Sequence, residues 1–383
     1  MSKIGALALT RRDALKTVAI AGVAPALLPE AFKIVDADKK TTLVAPPSFR
    51  VDPFWPKHLP HDPVTGRYWV TGEVAGTAFD AQDRLFTINR RNLTDTELRV
   101  ASPSPAFLVY DRAGNVVNSA TPPVLPDGLH GCFVDHHQNV WIGGNADAIV
   151  QKYSHDLTTL LLQIGEKGHF DTSDGTINGT PNNSSHTLLN LPADIAVDPE
   201  NDDIYIADGY GNRRVVVFDK NGNYLRQWGE QATLAEAQAG VGGKFLQVVH
   251  GVNIGHDGLV YVNDRKGNRI QVFEKDGTFV RNIWVNRGFE LDVPASPGTC
   301  WDLAFSKDRD QRLIYVTDGE EQLLWTLNHA DGTTRTSYGW PGHLAGEFTF
   351  VHTLDADSKG NLYTAETIGG RRVQRFEVVG HRR

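Results

Sequence analysis

The stretch 250–264 has the sequence HGVNIGHDGLVYVND, two short apolar strands joined by the polar turn His256-Asp257-Gly258. Alternating strands on either side of a Gly-containing turn indicate a β-hairpin. Two further alternating runs follow after short turns, at 269–273 and 278–284. The whole segment therefore predicts one antiparallel sheet of four consecutive strands.

The same pattern recurs six times along the chain, at spacings of about 51 to 63 residues. The excess over a minimal blade falls in inter-blade loops, of which 165–191 is the longest. A ring of radial sheets leaves only short, protected strand edges. We therefore predict an all-β, six-bladed β-propeller. The stretches 250–273 and 204–214 resemble NHL-type propeller repeats. An N-terminal strand, within 67–72, is expected to complete the last blade. The repeats begin at Ala75, His130, Ala193, His250, Trp301 and His352.

Composition and charge narrow the class of protein. The chain has 383 residues, 40% of them hydrophobic, which allows a large core. The formal net charge is −8 and there is no basic block, so nucleic acid is excluded as a partner. Only Cys132 and Cys300 are present, too few for a disulfide framework. Buried free thiols are expected, with a single bond between them as the alternative.

The N-terminus predicts an exported protein. Arg11 and Arg12 precede a short apolar run, and Ala24-Pro25-Ala26 offers small residues for a signal peptidase. The pair resembles a twin-arginine export signal; the alternative is a chance basic pair on a helix. We predict a signal peptide at 1–26, an extension at 27–66 and the propeller at 67–383. A periplasmic or secreted monomer follows, with the twin-arginine export machinery as a partner.

Histidine occupies one repeat position in the second, fourth and sixth blades, at His130, His250 and His352. The first strand of each blade lies innermost, so alternate blades let three imidazoles converge on the central axis. Three histidines with an open fourth position are typical of catalytic zinc, although iron or manganese would accept the same ligands. The alternative is that these are polar residues tolerated at a channel mouth.

Two arginines and a tyrosine are predicted at the same mouth. Arg265 lies fifteen residues after His250, and Arg90 lies fifteen after Ala75. Antiparallel pairing returns the end of the second strand to the face where the first begins. Arginine suits capture of a substrate carboxylate, and an exposed salt bridge is the alternative. Tyr210 falls close to the equivalent position in the third blade, as a candidate base or a packed aromatic.

These residues resemble the active site of peptidyl-α-hydroxyglycine α-amidating lyase, the second catalytic domain of peptide-amidating enzymes. The best-matching stretches are 207–210 (ADGY), 226–230 (RQWGE) and 264–271, and the resemblance covers 74–379. It implies a six-bladed propeller with zinc on three channel histidines. By position, it implies that the histidines are His130, His250 and His352, the catalytic tyrosine Tyr210 and the active-site arginines Arg90 and Arg265.

The reaction implied by the resemblance cleaves a C-terminal α-hydroxyglycine into a peptide amide and glyoxylate. Zinc would meet the hydroxyl and carboxylate oxygens, Tyr210 would take the hydroxyl proton and an arginine would orient the carboxylate. The family's paired cysteines are missing. Thr353 follows His352 where the family has an aspartate ligand, which makes a structural calcium ion doubtful.

Two other functions fit a propeller of this kind. A non-catalytic NHL propeller would bind a peptide or protein partner across its face. Another metal-dependent propeller hydrolase, such as a lactonase, is the second alternative. Those enzymes favour carboxylate and Asn ligands, and the axial repeat position carries no carboxylate in any blade.

Overall fold

Six antiparallel sheets of four strands make up most of the chain in the computed structural model, which describes residues 45–291 and 296–381. This confirms the predicted all-β, six-bladed propeller. The predicted signal peptide at 1–26 lies outside the described residues, as does the extension up to residue 44. Within the described ranges, no helix is both long enough and apolar enough to span a bilayer.

Each of the first five blades is built from consecutive strands, ordered from the axis outwards. The strands of blade 1 are Val74–Phe79, Leu85–Asn89, Phe107–Tyr110 and Val116–Ala120. Those of blade 2 are Leu129–Val134, Val140–Gly144, Ile149–Tyr153 and Leu160–Ile164. Those of blade 3 are Asp194–Val197, Ile204–Asp208, Arg214–Phe218 and Tyr224–Trp228. The strands of blade 4 are Val249–Ile254, Val260–Asp264, Arg269–Phe273 and Phe279–Trp284. Those of blade 5 are Leu303–Phe305, Leu313–Asp318, Leu323–Asn328 and Thr334–Tyr338.

Blade 6 joins the two ends of the described chain. Its strands Val351–Ala356, Leu362–Glu366 and Val373–His381 are completed on the outside by Pro47–Asp52, which runs antiparallel to the last strand. A closing N-terminal strand is as predicted, but its predicted position within 67–72 is wrong. Trp69–Val70 instead pairs in parallel with Ser102–Pro103, in the loop between the second and third strands of blade 1.

Apolar and polar residues alternate along the closing strand Pro47–Asp52, which explains its position as the outermost strand of blade 6. Phe49 and Val51 both pack against the apolar cluster between blades 5 and 6. The Phe49 ring contacts Tyr338 edge-on at 5.1 Å between centroids. Arg50, between them, points to solvent and pairs with Glu377 at 3.1 Å. One apolar face and one polar face are what an outermost strand needs.

Loops between and within the blades carry the remaining regular structure of the described residues. The helix Leu234–Ala239 begins with a capping box formed by Thr233 and Glu236, and lies between the strands Glu230–Gln231 and Lys244–Phe245, which pair in parallel. A single 3₁₀ turn, Glu97–Arg99, lies in blade 1.

Buried acidic residues end the second strands of several blades. Asp208 pairs with Arg214, and Asp264 with Arg269, each at 2.9 Å and each fully buried. Asp318 occupies the same position in blade 5, but Leu323 faces it across the strand pair where blades 3 and 4 have arginine. Burial raises the pKa of Asp318 to about 6.

The two cysteines are buried and unbonded. This confirms the expectation of free thiols and excludes the alternative of a bond between them. Burial raises the pKa of both Cys132 and Cys300 above the ordinary thiol value. Neither thiol therefore has the thiolate character that cysteine chemistry requires.

Candidate metal centre and active site

The three axial histidines lie at irregularities in the innermost strands. In blades 4 and 6 the pairing register skips His250 and His352, and in blade 2 it skips Gly131, the residue after His130. A bulge re-aims the side chain at the point where it interrupts the ladder. Gly131 has φ +64°, and an added Cβ would lie 2.6 Å from the carbonyl oxygen of Ala193, so only glycine fits beside the first histidine.

The imidazoles meet on the propeller axis. The ring centroids are 5.1 Å apart for His130 and His250, 5.0 Å for His250 and His352, and 4.6 Å for His130 and His352. One nitrogen from each ring lies within 4.8 Å of the other two. Each residue is only 2% exposed. The structure thus brings together three residues that lie on three separate blades.

The hydrogen bonds of two rings test whether a metal fits. Nδ1 of His130 lies 2.7 Å from the carbonyl oxygen of Ala193, and Nδ1 of His250 lies 2.8 Å from that of Trp301. A carbonyl only accepts, so both Nδ1 atoms carry the proton and both Nε2 atoms present lone pairs. Lone pairs that converge in a buried space favour a cation. Nδ1 of His352 has no partner among the described residues.

The protonation states also suit a metal. Burial, helped by the charges of Arg90 and Arg265, lowers the pKa of His130 to about 3. Burial and the neighbouring histidines hold the pKa values of His250 and His352 well below the ordinary value. All three are therefore neutral near pH 7, the state in which imidazole binds a metal. A three-histidine set with an open position fits zinc.

Tyr210 lies directly over two of the imidazoles. Its hydroxyl is 3.1 Å from Nε2 of His130, 3.0 Å from Nε2 of His250 and 3.1 Å from Nη1 of Arg265, which donates to it. Its loop is tightly placed, since a Cβ at Gly209 would lie 2.0 Å from the carbonyl oxygen of Val249. The Tyr210 hydroxyl thus contacts Arg265 and two of the three axial histidines.

Trp301 supports Arg265 and His250, a role that the sequence does not predict. Its ring lies under the guanidinium of Arg265 at 4.6 Å, and its carbonyl oxygen accepts from His250. The indole Nε1 donates to the carbonyl oxygen of Gly298 at 2.7 Å. Trp301 does stand out in the sequence, because the other blades have His or Ala at the axial repeat position.

Arg90 lies beside the histidines but its charge is largely neutralised. Its Nε donates to the carbonyl oxygen of Leu129 at 3.0 Å, next to His130, and its Nη1 lies 2.5 Å from a carboxylate oxygen of Glu73. The structure therefore places both predicted arginines at the mouth, with different surroundings. Glu73 lies outside the repeat positions that predict the site.

Arg213 adds a second cation beside the loop that carries Tyr210. Its Nη1 donates to the carbonyl oxygens of 209–212 at 2.5 to 3.4 Å, holding the loop that carries Tyr210. Among the described residues, neither Arg213 nor Arg265 has a carboxylate within ion-pair distance, and the Nε of each is buried without a partner. Two surplus guanidinium groups favour an anionic ligand at this mouth.

Below the histidines the channel narrows to a cavity of about 20 Å³. Asp194 and Asp302 line it from blades 3 and 5, and burial raises the pKa of both carboxyl groups. Thr353 fills the position after His352 and lies 3.1 Å from the hydroxyl of Thr77. That a structural calcium ion is doubtful stays a prediction.

Known proteins with related sequences share this repeat. The model of the NHL repeat matches residues 189–218, the segment that leads into and includes the strand pair around Tyr210. The chain carries an NHL repeat. It is 26% identical over 349 residues to the human NHL repeat-containing protein 3, a match covering 86% of this chain and 84% of that protein.

Amidating enzymes are also similar to this chain. Peptidyl-glycine alpha-amidating monooxygenase B of Xenopus laevis is 28% identical over 226 residues, which are 55% of this chain and 24% of that enzyme. This chain therefore matches about a quarter of the length of that relative. A probable peptidyl-alpha-hydroxyglycine alpha-amidating lyase of Caenorhabditis elegans is 25% identical over 54% of each chain.

A solved streptogramin B lyase structure has the same fold, with a TM-score of 0.53. The alignment covers 86% of this chain and 98% of that one, at 12% sequence identity. This likeness supports the propeller architecture and nothing finer.

Proposed function

We propose that this protein is a metal-dependent carbon–nitrogen lyase that cleaves peptidyl-α-hydroxyglycine, or a similar α-hydroxy-amide, to an amide and glyoxylate. The observation that carries the proposal is the position of the Tyr210 hydroxyl, within 3.1 Å of two metal-competent imidazoles and of Arg265. We propose zinc as the metal, held by His130, His250 and His352.

The chain's own residues account for substrate binding. The substrate is an anion, because its terminal glycine keeps a free carboxylate. Arg265 offers a guanidinium without a carboxylate partner among the described residues, and Arg213 adds positive charge behind the Tyr210 loop. Arg90, held by Glu73, gives the opposite side of the mouth less net charge. We therefore assign carboxylate orientation to Arg265 rather than to Arg90.

The bond changes need one proton to move twice. Tyr210 would take the proton of the substrate hydroxyl; the C–O bond becomes a carbonyl and the C–N bond breaks, which releases glyoxylate. The departing amide nitrogen takes the proton back from Tyr210, so the base is regenerated. Arg265 donates to the tyrosine oxygen throughout. A bound zinc ion supplies Lewis-acid polarisation of the substrate oxygens.

The location of the protein remains part of the proposal. A twin-arginine signal at 1–26 would deliver the folded chain to the periplasm or outside the cell. A substrate with a peptide C-terminus suits such a compartment.

The NHL repeat supports one competing function. The human NHL repeat-containing protein 3 matches more of this chain than the amidating enzymes do. A propeller that only binds a partner needs no metal and no reactive tyrosine. It would leave glyoxylate release at the background level for every variant.

The decisive experiment combines elemental analysis with a glyoxylate-release assay on a synthetic peptidyl-α-hydroxyglycine. We expect one zinc ion at the axial site and activity that is lost on chelation and restored by zinc. His250→Ala should lose both. If the wild-type protein binds zinc but releases no glyoxylate, the lyase proposal is refuted and the metal centre stands. If no metal binds at the axial site, both are refuted.

A further inference from the structure

A second cluster of metal-ligating side chains lies at the opposite end of the propeller strands from the axial site. His136 and His137 form the turn after the first strand of blade 2, and Asp202 lies in the corresponding turn of blade 3. His130 begins the same blade 2 strand, so about six residues of extended chain, roughly 20 Å, separate the two clusters. The second cluster takes no part in the proposed chemistry.

The three side chains already point at one another. Nε2 of His136 lies 3.0 Å from Oδ1 of Asp202, and Nε2 of His137 lies 2.8 Å from the same oxygen. The two imidazole rings are 4.0 Å apart between centroids. Three ligand atoms from two blades therefore lie within 4.8 Å of one another.

The turns that carry these side chains are well anchored. The buried carboxylate of Asp135 accepts from the backbone of Asn139 at 2.8 Å, and closes the blade 2 turn. The backbone N–H of Asp202 donates to the carbonyl oxygen of Asp198 at 2.9 Å, and Asp202 has φ +65°. The backbone is thus fixed while the ligand atoms stay accessible, with His137 56% exposed.

We propose that His136, His137 and Asp202 form a second divalent-metal site, which ties blade 2 to blade 3 at the face opposite the lyase site. Two imidazoles and one carboxylate, with water in the remaining position, suit zinc and related transition metals. In a tetrahedral zinc site the ligand atoms lie about 3.3 Å apart. The observed contacts to the carboxylate need to open by only a few tenths of an ångström.

Local charge sets the strength of this site. The ligand set has one negative charge, from Asp202, and the neighbouring pocket is lined by Lys152 and Lys220. Nζ of Lys152 is directed towards Asp135, at 3.8 Å. The second site therefore binds metal more weakly than the buried axial site, and fills after it in a titration.

The test is a calorimetric titration of the metal-free full chain with zinc. Wild-type protein should bind one ion more than His137→Ala, and Asp202→Asn should lose the same ion. His169→Ala is the matched control, because its side chain is 59% exposed and also faces a carboxylate, at 3.6 Å. It should bind as many ions as wild type.

A second measurement uses the bridge between blades. Saturating zinc should raise the Tm of wild-type protein and of His169→Ala more than that of His137→Ala. The readout is a difference of one ion, so it stands whether or not the axial site binds zinc or the protein releases glyoxylate. Equal stoichiometry for wild type and His137→Ala would overturn the proposal.

Discussion

The guanidinium of Arg265 lies between two aromatic rings, 4.6 Å from the centroid of Trp301 and 5.3 Å from that of Tyr210. Its Nη1 donates to the Tyr210 hydroxyl. The indole of Trp301 therefore positions the Arg265 guanidinium relative to the axial histidines.

Trp301→Leu should lower kcat/KM for glyoxylate release by about threefold to thirtyfold, because a cation–π contact contributes about 0.5–2 kcal/mol. The backbone carbonyl that orients His250 is retained, so zinc content should stay at the wild-type level. Steady-state kinetics with elemental analysis measures both. Unchanged kinetics would mean that the indole does not position Arg265.

Tyr210→Phe removes the proposed base while keeping the ring. We expect kcat to fall by about 10²- to 10⁴-fold, the usual contribution of general acid–base catalysis, with zinc still bound. Tyr224→Phe is the control, since Tyr224 stacks on His186 in the outer strand of blade 3. Wild-type kcat in Tyr210→Phe would assign the proton transfer to another group.

Arg213→Gln removes one surplus charge and keeps an amide donor for the Tyr210 loop. KM should rise by about tenfold, the equivalent of roughly one charge-assisted contact, and the increase should shrink at high salt. Arg309→Gln, in an exposed turn on the opposite face, should leave KM unchanged. A fall in kcat with KM unchanged would instead indicate that Arg213 positions Tyr210.

Asp318 predicts a pH dependence of stability. Its folded-state pKa of about 6 lies above the unfolded value, so the folded state binds more protons and stability decreases as pH rises from about 4 to 6. The shift corresponds to at most about 3 kcal/mol. Asp318→Asn should flatten this slope in denaturant titrations at several pH values. An identical slope in both proteins would contradict the assignment.

Phe49→Ala should lower the free energy of unfolding by about 2–3 kcal/mol, because it removes a partly buried ring that closes blade 6. Phe54→Ala, two residues beyond the closing strand and 76% exposed, should change it by less than about 0.5 kcal/mol. Urea titration of both variants measures the difference. Similar losses would show that the closing strand is dispensable.

The sequence predicts the propeller and the position of its axis because each blade repeats one pattern of alternation. That register alone brings His130, His250 and His352 together. It does not predict the supporting contacts: Glu73 lies outside the compared repeat positions, and the stack of Arg265 on Trp301 depends on the spacing between neighbouring blades. The sequence does not identify the closing strand, because two short apolar runs precede blade 1 and only packing distinguishes Phe49 from Trp69.

The strand Pro47–Asp52 and the last strand of the chain lie on opposite ends of the sequence and in one sheet. His352 and His130, whose Nε2 atoms are 3.1 Å apart, are separated by 222 positions. A chain still under synthesis has neither the sixth blade nor its third imidazole. The axial site is therefore complete only after residue 352 has been synthesised and blade 6 has formed.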